Sequence, residues 1–202
     1  MVKLKRQVVN RSAFNPGSEY PFSLRQNDFE IAMQDVYDFL HDVNDLLLDK
    51  GLHRLEDMLR GAGLSGTFSD MLRDSLASHA RGLVKNKHPN GHPDLIKRGE
   101  YANDAVAAGE LGVEVKSTKK SGGAVDLHGP RDHWMCVFVY RADHKTEPSS
   151  KREPTRFTEV YLAEVEEHDF RLNARGPRGT RTATLHRKGL LKMRKRWIYL
   201  DP

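Results

Sequence analysis

The sequence predicts an α/β domain in which helices flank a sheet, and two observations carry that prediction. Apolar residues recur at spacings of three and four early in the chain, the signature of helices with one buried face. Short runs rich in branched and aromatic residues follow, and these suit strands. With 202 residues, the chain fits one domain with a sizeable core. It divides into a basic N-terminal arm over 1–24, a helical part over 25–82, a core over 93–141 and a basic C-terminal part over 157–202.

Each element has a local reason. Pro16, Gly17 and Pro21 make the first 24 residues irregular. Asn27 can cap a helix, with Glu30 completing a capping box. Phe29, Met33, Val36, Tyr37, Leu40, Val43 and Leu47 form its apolar stripe, and Gly51 stops it. A second helix is predicted over 69–81, capped by Ser69 and ended by Gly82. Residues 85–93 read as a loop. Strands are predicted over 94–96, 112–117, 134–141 and 157–165. The run from Trp134 to Tyr140 is apolar throughout, as in a central strand covered on both faces. Pro148 and Pro154 mark the loop over 142–156. A short basic helix over 184–196 and a strand over 197–200 close the sequence.

Composition excludes several classes. Hydrophobic residues are 38% and charged residues 30%, which suits a polar globular protein. No apolar run approaches a membrane span, and residues 1–10 lack a secretory signal, so the expected compartment is the cytoplasm. The lone cysteine, Cys136, can form neither an internal disulfide nor a multi-cysteine zinc site, and an apolar strand makes it an inert core residue. Ten histidines lack metal-ligand spacing, and the glycine pairs lack a Walker lysine. The net charge is +5. Residues 171–196 carry many cations and no acid, which favours contact with nucleic-acid phosphates.

The chemistry concentrates in Pro93-Asp94-Leu95-Ile96 and Gly112-Val113-Glu114-Val115-Lys116. In a strand, Glu114 and Lys116 project to one face while the valines pack on the other. An isolated Glu-x-Lys is ordinarily a surface ion pair. Here the valines and Gly112 mark a buried strand, Pro-Asp opens another strand 20 residues upstream, and Lys119, Lys120, Ser121, Gly122 and Gly123 follow at once. Two converging carboxylates can hold magnesium, and a lysine beside them supplies the charge that phosphodiester hydrolysis requires.

Over residues 70–141 this pattern resembles the PD-(D/E)XK nuclease superfamily, which includes most type II restriction endonucleases. The resemblance implies a restriction-endonuclease-like mixed sheet of about five strands flanked by helices. It also implies that Asp94, Glu114 and the Val115 carbonyl bind Mg2+, with Mn2+ able to substitute, and that Lys116 assists the attacking water. A helix acid, Asp74 or Asp70, can join the site, and Asp104 is the substitute for Asp94. Lys119, Lys120, His128, Arg131, His133, Lys192, Arg194 and Lys195 are candidate DNA contacts. The expected function is sequence-specific cleavage of double-stranded DNA by a homodimer. The alternatives are a repair or defence nuclease of looser specificity and a DNA-binding module that does not cut.

Overall fold

In the computed structural model, which describes residues 4–127, 129–174 and 182–202, the first apolar stripe becomes helix α1 (Gln26–Asp49). Its cap lies before the expected Asn27. The buried Asp28 carboxylate accepts the Arg25 backbone N–H at 2.9 Å and pairs with the Arg25 guanidinium at 2.5 Å, so an acid in the first turn does the capping. A single turn, α2 (Leu55–Met58), precedes helix α3 (Gly61–His79). Helix α3 starts eight residues before the predicted Ser69. Leu64, Phe68, Leu72 and Leu76 recur every fourth residue and are all buried, and that packing overrides the low helix propensity of Gly61, Gly63 and Gly66.

The main sheet has six strands, one more than expected. They are β1 (Leu83–Lys85), β2 (Leu95–Lys97), β3 (Gly112–Thr118), β5 (His133–Arg141), β6 (Arg156–Val165) and β9 (Trp197–Leu200), and they lie in that spatial order. Pairing is antiparallel except between β3 and β5. A second sheet of three short strands has the order β4 (Asp126–Leu127), β8 (Ala183–Leu185), β7 (Phe170–Leu172). The basic helix α4 (Arg187–Lys195) begins after β8, three residues later than predicted.

The two faces of the main sheet bury two cores. On one face Val113, Val115, Cys136, Phe138 and Tyr140 pack with α1 and α3; on the other Met135, Val137 and Val139 pack with the small sheet and Met193 of α4. Strand β5 therefore sends alternate side chains into both cores, which is why its sequence is apolar throughout. The N-terminal arm is irregular but seated: Val9, Phe14 and Leu24 join the first core, and the Phe14 ring meets Tyr199 edge-on at 4.9 Å. Serines fix α3 to β3. Ser117 N–H donates to Ser69 Oγ at 2.9 Å, and Ser117 Oγ donates to the Ser65 carbonyl at 2.8 Å. Among the described residues no helix is long and apolar enough to cross a membrane.

Candidate active site

Register brings Asp94 to Glu114. Strands β2 and β3 pair Leu95 with Val113 and Ile96 with Gly112, so the next step of the antiparallel ladder sets Asp94 opposite Glu114. Gly112 permits this closeness. A Cβ there would lie 2.0 Å from the Leu95 carbonyl oxygen and 2.5 Å from Pro93 Cγ, far inside contact distance. Any side chain would push β2 off β3.

Asp94, Glu114 and Lys116 then meet. Lys116 Nζ stands 2.5 Å from Glu114 Oε1 and 3.8 Å from Asp94 Oδ2. The Val115 N–H donates to Asp94 Oδ2 at 2.9 Å. An extended residue sends its N–H and C=O to the same edge of the strand, so the Val115 carbonyl also faces the Asp94 side. The carboxylate of Glu114 is 8% exposed, against 22% for Asp94 and 29% for Lys116. The site thus has a buried floor and an open rim.

The electrostatics follow from this crowding. Burial, then the Glu114 charge, push the Asp94 carboxyl up to about 6. Burial also works against ionised Glu114, but the His92 hydrogen bond and the Lys116 charge outweigh it and hold Glu114 well below the usual carboxylate range. Burial disfavours the Lys116 ammonium in turn, and Glu114 and Asp94 more than offset that, so its pKa is raised. The cluster is a protonated lysine held by an ionised glutamate, with a second carboxyl short of positive charge. A divalent cation fits that shortfall, because it would relieve the repulsion that raises Asp94. The donors are oxygens, which suit magnesium or manganese.

The remaining candidates distribute differently. Asp74 is engaged by Arg73 at 2.9 Å and Lys85 at 2.8 Å, so its carboxylate is already neutralised by two cations. Asp70 pairs with Arg73 at 2.8 Å and is the helix acid whose charge acts on Lys116. Asp104 pairs with Lys87. His133, a candidate DNA contact, is instead the first residue of β5 and 3% exposed, too buried to reach DNA from the surface. Lys119 Nζ lies 2.7 Å from His144 Nε2 and near the Tyr140 ring. Lys120 and Arg131 are exposed. Lys192 is bound by Asp169 at 3.0 Å and by Glu166 at 3.7 Å, so the acid-free appearance of its segment does not leave it free. Those same acids and His168 cluster at the surface, with the Lys192 ammonium already between the two carboxylates. Arg194 donates from Nε to the Gly122 carbonyl at 3.3 Å, and Lys195 is exposed. His128, Arg175, Arg178 and Arg181 lie outside the described residues.

His92 joins the cluster without any motif that marks it. Its Nδ1 stands 2.9 Å from Glu114 Oε2. The only signal was its place two residues before Asp94. No protein-family model, curated protein or solved structure matches the chain.

Proposed function

We propose that the protein is a magnesium-dependent endonuclease of the restriction-endonuclease-like PD-(D/E)XK type, hydrolysing phosphodiester bonds of double-stranded DNA. One observation carries the reading: an Asp at the start of one strand and a Glu-x-Lys on its neighbour converge around a single ammonium. That gathers two hard oxygen ligands and one fixed cation at a half-open rim. Of the two sheets, the six-stranded one supports the restriction-endonuclease-like fold, with helices on one face and a small sheet plus a helix on the other.

Asp94, Glu114 and the Val115 carbonyl would hold Mg2+, or Mn2+ in its place. When bound, the ion supplies Lewis-acid polarisation of the phosphate and lowers the pKa of a bound water. Lys116 keeps its proton and carries a fixed positive charge to the reacting phosphate, where it offsets the charge that develops in the transition state. Glu114 fixes the ammonium through Oε1. The Val115 N–H fixes Asp94, so neither carboxylate must reorganise when the phosphate arrives. Exposed Arg187, Lys188 and Lys195 on α4 offer backbone-phosphate contacts.

Incubation of a supercoiled plasmid with purified protein tests the reading. Nicked or linear products are expected with Mg2+ and none with EDTA. Mapping the ends distinguishes a sequence-specific enzyme, the form proposed, from a nuclease of looser preference. Tight DNA binding with no cutting under any divalent ion would leave the protein a binding module and refute the enzyme.

A further inference from the structure

We infer that His92 is the positioning residue for Glu114, setting which carboxylate oxygen is presented to a divalent cation; the inference rests on the nuclease reading above. Glu114 Oε2 receives two donors, His92 Nδ1–H at 2.9 Å and the Asp94 backbone N–H at 3.2 Å. A carboxylate can only accept, so His92 carries its proton on Nδ1. The other oxygen, Oε1, is left to face Lys116 at 2.5 Å. Two donors on one oxygen stop the carboxylate from rotating and divide its work: Oε2 anchors and Oε1 serves the site. Partners of this kind orient ligands and tune affinity for the ion.

His92 is itself immobilised. Its backbone N–H donates to the Ala107 carbonyl at 3.1 Å, and its carbonyl accepts from Gly109 at 2.8 Å. Its ring stands edge-on to His133, with centroids 4.7 Å apart and planes at 85°. The His133 ring lies nearly parallel to Phe170 of β7, at 6.2 Å and 17°. Its Nδ1–H donates to the Arg131 carbonyl at 3.0 Å. A column of three rings thus runs from the small sheet to Glu114. Nε2 of both histidines is buried without a hydrogen-bond partner among the described residues. Leaving two such atoms unpaired costs stability, as is common where a side chain is held for placement. The column gives the small sheet a role: it braces the floor of the site.

The experiment is a titration of the full chain with Mn2+, read by electron paramagnetic resonance of the free ion, on His92→Asn and His92→Gln. Both variants carry an amide, but only the shorter one sets its N–H near the place of Nδ1. Mn2+ affinity is expected to fall about 10- to 100-fold in His92→Gln and to stay near wild type in His92→Asn. The Mn2+ concentration that half-saturates DNA cleavage should move in the same way. Equal affinities in both variants, whether both intact or both lost, overturn the inference, since they would trace any effect to the ring and not to the donor. Wild-type protein that binds no Mn2+ overturns the nuclease reading itself, and that outcome is separate from a difference between variants.

Discussion

Replacing Asp94 by Asn should stabilise the metal-free protein while abolishing cleavage. Burial and the Glu114 charge lift the Asp94 carboxyl from 3.8 to about 6. A raised carboxyl binds its proton more tightly in the folded chain than in the unfolded one. Its contribution to stability is therefore full below pH 3.8 and is lost as pH rises through about 6. At about 1.4 kcal/mol per pH unit, ionised Asp94 costs the fold about 3 kcal/mol at pH 7. The cost shrinks toward pH 5 and fades below the ordinary carboxylate value of 3.8. Asn is neutral at every pH and can still accept the Val115 N–H. Keeping that bond puts the Asn oxygen in the place of Oδ2 and the NH2 in the place of Oδ1, an exchange that takes back part of the gain and leaves about 1–3 kcal/mol at pH 7, or roughly 3–10 °C in Tm. Urea unfolding followed by circular dichroism in EDTA, at pH 7 and pH 5, measures the difference. A variant less stable than wild type at both pH values, or a gain that does not shrink toward pH 5, would refute the reasoning. Mg2+ should then stabilise the wild type and leave Asp94→Asn unchanged.

Three further outcomes are expected. Lys116→Ala should slow single-turnover cleavage by about 10²–10³-fold, the loss typical of one preorganised charged or hydrogen-bonding group, while fluorescence anisotropy in Ca2+ shows DNA binding retained. Gly112→Ala forces a Cβ to 2.0 Å from the Leu95 carbonyl oxygen, so it should lower both Tm and the cleavage rate by parting Asp94 from Glu114. Neutralising Arg187, Lys188 and Lys195 together should flatten the slope of log affinity against log salt by up to about 2.7, whereas Lys192→Gln, which frees Asp169, should leave that slope alone and reduce urea resistance.

The parts of the fold that repeat regularly over many residues were legible. The α1 stripe and the apolar run of β5 each sum many small preferences, and β9 ends where its apolar residues end. The site was legible because it rests on alternation: one residue between Glu114 and Lys116 places both on one face. The convergence of Asp94 was only half legible, since the ladder register that sets it opposite Glu114 depends on how two strands dock. What escaped was short or locally contradictory. Strand β1 has three residues, and the small sheet is built from two- and three-residue strands whose order comes from packing on Met135, Val137 and Val139. Three glycines hid the first turns of α3. The engagement of Lys192 escaped because its acids, Glu166 and Asp169, lie just before the acid-free segment 171–196 and reach it only in three dimensions. His92 escaped because nothing in a sequence says which atom of a histidine will meet a carboxylate.

In the proposed function Asp94, Glu114 and Lys116 form one metal-dependent phosphodiesterase site. The most direct measurement is the rate of supercoiled-plasmid cleavage in Mg2+ for the wild type and for Glu114→Gln. That variant keeps the shape of Glu114 but removes its charge. Cutting by the wild type that EDTA stops is expected, with a loss of at least about 10³-fold in Glu114→Gln. Equal rates for the two proteins, or cleavage that persists in EDTA, would contradict it.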